Sequence, residues 1–340
     1  MNYRPANPSL AFYKVYEESI LNTRSLLFEE LSQISPEFAT EARKILEAKL
    51  KSNDNNPLMG ELFPWIIKDL IEVNSDTTSK ISVGWLAIYI YTIFLDEYLD
   101  SPKPLNPSKF ITASLLAKTG LLRISHFTNN TPYEKYVDNA FSFSAKNQYF
   151  DTKFQKDDKE LDFKEKYSIG KNHILLICAG ALAAQNSKHS EFITKFTESL
   201  LLAIQYLDDI TDFKEDYDSR NLTVLLNDAL QNNSIMISSF KSVTRRELLS
   251  ELISTGALQR VLEKILVLLN QSISLINLNR NSEITKNKVA AEFFESLYVN
   301  TTILNKYLQT NLTKFNYSET DQAIILDKTE HYIKLIAESS

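Results

Sequence analysis

Glycine and proline are scarce in this chain, with 6 Gly and 9 Pro among 340 residues, roughly a third of average usage. Every proline lies in the first 132 residues, and the remainder contains only Gly170, Gly180 and Gly256. Sandwiches, barrels and doubly wound sheets need many tight turns built from these residues, so such folds are excluded and an all-α chain is expected. Cysteine is nearly absent: Cys178 stands alone, which rules out an internal disulfide and suits a reducing cytoplasm. Basic charge is not in excess, since 37 Lys and Arg face 43 Asp and Glu for a net charge of −6, and no nucleic-acid partner is expected. Four histidines leave little for zinc, so any metal should be a hard one. The N-terminal MNYRPANPSL has no apolar core of the kind a signal peptide carries, and a cytoplasmic location is expected.

The remaining composition, 44% hydrophobic and 24% charged, is that of a folded globular protein. The 11% of aromatics would allow a large core or an aromatic-lined cavity. No linker or internal repeat divides the chain, and residues 1–340 are expected to form one domain. Helix starts are well marked. Thr131-Pro132-Tyr133-Glu134, Ser35-Pro36, Thr244-Arg245-Arg246-Glu247 and Ser318-Glu319-Thr320-Asp321 combine cap residues with first-turn proline or acid. The expected helices span 9–33, 36–52, 61–73, 79–100, 107–127, 132–150, 157–186, 189–217, 222–231, 244–279, 283–313 and 318–338. Two runs lack a polar face, ISVGWLAIYIYTIFL (81–95) and ILLICAGALAA (174–184). Both are shorter than the ~20 residues of a membrane span. They are expected to be inner helices of a soluble bundle, wrapped by others, with no membrane span.

Two acidic clusters follow apolar helix. The first is Phe94-Leu95-Asp96-Glu97-Tyr98-Leu99-Asp100, and the second runs from Gln205 through Asp208, Asp209, Asp212 and Glu215 to Asp216. Helical spacing puts Asp96 and Asp100 on one face, and Asp208, Asp212 and Asp216 on one face over two turns. Acids at a helix C-terminus oppose the helix dipole and repel one another, each at a cost of a few tenths of a kcal/mol. Bound divalent cations would compensate. Mg²⁺ prefers oxygen ligands and typically joins one or two carboxylates to substrate phosphates. The alternative that needs no ligand is a helical scaffold with solvated acidic faces.

The two clusters resemble the metal-binding motifs of class I isoprenoid synthases, the superfamily of terpene cyclases, prenyl diphosphate synthases and squalene/phytoene synthases. Asp96-Glu97-Tyr98-Leu99-Asp100 is similar to the first aspartate-rich motif, with Glu97 in place of the usual second Asp. Asp208, Asp212 and Asp216 resemble the terpene-cyclase triad, with Asp where Ser/Thr and Glu are usual. Asp208-Asp209-Ile210-Thr211-Asp212 resembles the second motif of chain-elongating enzymes. Gln205, Asp208, Asp212, Glu215 and Asp216 resemble the squalene/phytoene register, with Asp for Asn. The Arg-Arg-Gly that follows the first motif of chain-elongating enzymes is replaced by Ser101-Pro102-Lys103-Pro104, and their N-terminal Gly-Lys-Arg-type signature is missing. Tyr91 fits the tyrosine of squalene/phytoene enzymes, but Thr92, Ile93 and Phe94 stand where arginine is usual.

The resemblance implies a helical bundle with an apolar central cavity, and Mg²⁺ as cofactor, three ions in number, with Mn²⁺ as a substitute. It further implies a prenyl diphosphate substrate and allows a homodimer. The expected activity is that of a terpene cyclase releasing diphosphate from one linear prenyl diphosphate. The alternative is a prenyltransferase, head-to-tail or head-to-head. The metal ligands implied are Asp96, Glu97, Asp100, Asp208, Asp209, Asp212, Glu215 and Asp216. Diphosphate contacts are expected from Lys166, Lys171, Arg220 and the Lys306-Tyr307 pair. The carbocation needs an apolar, aromatic wall. Trp85 and Tyr89, four apart, are the leading candidates for it, and Tyr91 and Phe94 the next. Gly170 and Gly180 are expected to break helices beside the substrate.

Overall fold

The computed structural model describes residues 8–52, 57–100, 106–156, 170–186, 190–232, 234–239, 241–279 and 288–337. Every regular element among them is helical. In chain order these are α1 (Pro8–Ile34), α2 (Pro36–Ser52), α3 (Met59–Ile71), α4 (Ser75–Asp100), α5 (Pro107–Thr128) and α6 (Tyr133–Lys156). A 3₁₀ turn (Lys171–Ile174) leads into α7 (Leu175–Ala183), followed by α8 (Ser190–Thr211), α9 (Phe213–Asp218) and α10 (Val224–Gln231). The last five are α11 (Ile235–Ser239), α12 (Arg245–Ser254), α13 (Ala257–Asn279), α14 (Lys288–Tyr317) and α15 (Glu319–Ala337).

The two apolar runs become inner helices. All nine residues of α7 are buried, and it packs against α3, α4, α5, α6 and α8. Helix α4 is surrounded by α1, α2, α3, α5 and α7. By length and composition Ser75–Leu99 could cross a membrane, because the helix starts earlier than the apolar run suggests, but 67% of its apolar window is buried inside the protein. Its closest approach is to α5. There a side chain on Gly120 would stand 2.6 Å from the Gly84 carbonyl, so the two helices meet backbone to backbone. The second half is built on α8, which packs on α13 and α15, while α14 packs on α13 and α15 and reaches back to α1.

Several caps form as their residues suggest. Thr244 and Glu247 make a complete capping box at α12. Ser318 Oγ accepts from the Asp321 N–H at 3.2 Å. Thr131 Oγ1 accepts from the Tyr133 N–H, whereas Glu134 reaches back to the Asn130 N–H rather than to Thr131, because Asn130 turns through positive φ.

Four expectations are corrected. The helix expected over 157–186 is 3₁₀ at 171–174 and α-helical only from Leu175 among its described residues. The helix expected over 189–217 breaks at Asp212, whose φ of −103° and ψ of 13° leave the helical range. The helix expected over 244–279 is divided at Gly256, which takes a φ of +72° open to glycine at no steric cost. Gly180 breaks nothing: it sits inside α7, where a Cβ would lie 2.9 Å from the Tyr136 ring, so its small size serves the packing of α6 on α7. Gly170, by contrast, opens the 3₁₀ turn.

Helix α3 carries Pro64 in its interior. Proline has no N–H, so the carbonyl four residues back, that of Gly60, loses its helical donor. Trp85 of α4 supplies the missing bond, its Nε1–H donating to the Gly60 oxygen at 2.6 Å. The indole is 1% exposed, so no water can take its place. Trp85→Phe is therefore expected to cost about 1–3 kcal/mol, the desolvation penalty of an orphaned carbonyl. A lowered urea midpoint would show it.

Candidate functional site

A cavity of about 550 Å³ opens between α2, α3, α4, α6, the 3₁₀ turn and α8, within the size range of small-ligand sites. Helix α4 enters it with Tyr89, Thr92, Ile93 and Asp96, spaced to share one helical face. Helix α8 enters with Ile204, Gln205 and Asp208. Carboxylates about 110 residues apart in sequence, Asp96 and Glu97 from one helix and Asp208 from the other, thus open onto one apolar-walled space. Lys49, near the end of α2, is the one Lys or Arg among the described lining residues.

Tyr89 reports how close these charges lie. Burial raises its hydroxyl pKa first, and the Glu61, Asp96 and Asp208 charges add to it, against a lowering hydrogen bond from the Gly60 backbone. The phenol therefore stays protonated at every working pH. Its ring lies against Gly60, where any side chain would overlap it. Buried Glu61 is held by Arg24 through two bonds of 2.6 Å.

The adjacent acids Asp208 and Asp209 point to opposite sides. Asp208 is exposed to the cavity. Asp209 is 1% exposed and has both oxygens committed: Oδ1 accepts from Gln205 Nε2 at 2.7 Å and Oδ2 from the Val224 N–H at 2.9 Å. An anion at the first N–H groups of α10 is favoured by the helix dipole. Gln205 Oε1 in turn accepts from Asn172 Nδ2 at 2.6 Å. A chain of bonds thus runs from the cavity wall at Asn172 through Gln205 and Asp209 to the start of α10. Asp209 is a structural anchor facing away from the cavity, unlike the ligand role expected for it.

Past the bend, the hydrogen-bond ladder continues: Asp212 N–H donates to the Asp208 carbonyl at 2.9 Å and Asp216 N–H to the Asp212 carbonyl at 3.0 Å. Asp212 is exposed. Protein packed around it raises its pKa, Glu215 adds repulsion, and Thr211, Lys49 and Arg245 pull the other way. Asp216 Oδ1 accepts from Asn221 Nδ2 at 2.8 Å. Glu215 is exposed and lies 3.7 Å from Arg245, and Glu97 is paired with Lys109 at 2.8 Å.

The other singled-out residues are dispersed. Trp85 is committed to Gly60 and stacks behind Tyr89, ring centroids 6.0 Å apart. Tyr91 stacks behind Phe141, which is itself in the wall. Phe94 is 5% exposed and stacks on Tyr98. Arg220 lies beyond the end of α9 at Asp218, takes a φ of +57° and does not line the cavity. Lys306 is exposed on α14, and Tyr307 packs on Tyr332 of α15. Neither lines the cavity. Lys166 and the side chains of Asp100 and Lys171 lie outside the described residues. Asn172 and Lys49 went unnoticed in the sequence. Asn172 adjoins Lys171, in a stretch already singled out, whereas Lys49 reads as an ordinary lysine favouring a helix C-terminus.

Among the described residues no three His, Cys, Asp or Glu side chains converge closely enough to hold a metal alone. The donor set nevertheless fits hard cations bound jointly with a ligand. It consists of carboxylate oxygens from two facing helices, and such ions take one or two carboxylates plus phosphate and water.

The fold is similar to that in the crystal structure of polyprenyl synthase from Caulobacter crescentus CB15 complexed with calcium and isoprenyl diphosphate. The TM-score is 0.64 at 13% sequence identity, covering 84% of this chain and 97% of that one. No family model matches the sequence, and no curated protein matches it.

Opposite stability effects are expected at two neighbouring acids. Asp209→Ala should lower the melting temperature, with a loss of roughly 1.5–3 kcal/mol for charged hydrogen bonds. Asp212→Asn should raise it at pH 7. A raised folded pKa means that the ionised carboxylate is disfavoured in the fold, so this group favours folding more as pH falls. The advantage of Asp212→Asn should therefore vanish below about pH 4, and melts at pH 7 and pH 3.5 would check both claims.

Proposed function

We propose that the protein is a divalent-metal-dependent isoprenoid synthase that ionises a linear prenyl diphosphate in the cavity between α4 and α8 and cyclises the chain to a terpene hydrocarbon or alcohol. The observation that carries this reading is the meeting of Asp96, Glu97 and Asp208 at one apolar cavity. The fold it shares with a polyprenyl synthase crystallised with calcium and isoprenyl diphosphate supports the substrate class and the use of a divalent ion.

Mg²⁺ or Mn²⁺, when bound, would supply Lewis-acid neutralisation of the leaving diphosphate. On this reading Asp96, Glu97 and Asp100 hold ions from α4, and Asp208, Asp212, Glu215 and Asp216 from α8 and α9. Lys49 and Lys171 are the proposed protein cations for the diphosphate. Ile93, Phe141, Ile174 and Ile204 keep water from the cationic chain. The protonated Tyr89 hydroxyl offers a hydrogen bond at the acidic end and does not act as a base.

One lysine among the described lining residues suits one diphosphate better than two, which favours cyclisation. Prenyl transfer to a second diphosphate is the second reading, favoured by the fold likeness to a polyprenyl synthase. Purified protein with Mg²⁺ should be given geranyl, farnesyl and geranylgeranyl diphosphate, each alone and with isopentenyl diphosphate. Diphosphate plus a hydrocarbon or alcohol from one substrate alone is expected. A lengthened diphosphate would replace cyclisation with the second reading, and no turnover in any mixture would sink both. Asp96→Ala and Asp208→Ala should each lower kcat/KM by about 100-fold or more, equivalent to ~2.7 kcal/mol.

A further inference from the structure

We infer that Arg245, which does not line the cavity, is a positioning residue for the second acidic cluster; the inference rests on the metal–diphosphate reading above. The break between α8 and α9 comes at Asp212, within the set of Asp208, Asp212, Glu215 and Asp216 proposed to hold ions. Arg245 grips the chain on both sides of that break. Its Nη2 donates to the Thr211 carbonyl at 3.2 Å. Its guanidinium lies 4.3 Å above the ring of Phe213, a fully buried side chain. Nη1 is 3.7 Å from Glu215, and Nε is 3.3 Å from Glu330 of α15.

The grip is itself fixed. Arg245 is the first residue of α12, directly after Thr244 of the capping box, so its backbone is set before its side chain reaches the bend. A planar guanidinium can stack on an aromatic face and bond in its own plane at the same time, which an ammonium cannot. Arg245 thus holds the angle at which Asp212 and Asp216 follow Asp208. It also places a positive charge beside a cluster that repels itself. A small rotation at the bend would carry the later acids away from ions shared with α4.

Arg246 provides a matched control. It begins the same helix but ties it to α15, through Asp327 at 2.5 Å and the Ala323 carbonyl at 3.0 Å. Arg245→Met, Arg245→Lys and Arg246→Met should be compared with the parent in three measurements. These are the rise in melting temperature with pyrophosphate as Mg²⁺ is titrated, the Mg²⁺ dependence of kcat and KM, and amide exchange over residues 208–218. Arg245→Met should shift the Mg²⁺ half-saturation upward about tenfold or more, as loss of a group that orients metal ligands does. It should lower kcat more than it raises KM and speed exchange across the bend. Arg245→Lys should fall between, and Arg246→Met should match the parent in Mg²⁺ dependence. A parent that Mg²⁺ and pyrophosphate together fail to stabilise overturns the functional reading, and this inference with it. A responsive parent with an unshifted Arg245→Met overturns the role of Arg245 alone. So does an Arg246→Met variant shifted equally, since that would mark a general effect of loosening α12.

Discussion

Asp209 lies in a helix whose neighbouring acids face solvent and cavity, yet it is buried with both carboxylate oxygens occupied. Unpaired, such a group would be expelled or protonated. Here it orients the Gln205 amide toward Asn172 and fixes the start of α10, so the cavity wall and the outer helices share one anchor. Because Asp209 is turned inward, its neighbour Asp208 is turned to the cavity, while Asp212 and Asp216 take their directions from the bend at Asp212.

The electrostatics of the mouth depend on the same arrangement. Acids gather at the C-terminal ends of two helices, where the backbone dipole already repels them. Protein cations meet the clusters from outside: Lys109 at Glu97, Lys214 at Asp218 and Arg245 at Glu215. Lys49 stands at the mouth instead. Stability is conceded where carboxylates are concentrated, a pattern typical of sites organised for a ligand rather than for rest.

The all-helical architecture was legible in the sequence, because scarcity of Gly and Pro is a local property, whereas a site shared by Asp96 and Asp208 was implied only by the resemblance of the two acidic clusters to known motifs. Direction within an apolar helix was not legible. Tyr89 and Trp85 share a stripe, but only Tyr89 reaches the cavity. The reason is Pro64, on a different helix, which leaves the Gly60 carbonyl for the indole to satisfy. Likewise nothing in Asp208-Asp209 says which acid is buried, since that depends on an N–H fifteen positions further on. The bend at Asp212 carries no glycine or proline and no side-chain cap, so no local signal marks it. Gly180 misled because glycine serves close packing as readily as helix breaking.

The close packing of α4 has a consequence for how the chain is made. Synthesis proceeds from the N-terminus, and neighbouring segments can associate before the rest emerges. The helix apolar enough to resemble a membrane span finds α1, α2 and α3 already present, and α5 arrives next, ending at Thr128. Its exposure is brief. The cavity mouth, by contrast, needs Asp208 from α8 and is braced by Arg245 later still. Shielding of the apolar helix and completion of the acidic mouth are thus separated in time, and a chain interrupted between them would be covered but would lack one wall of its cavity.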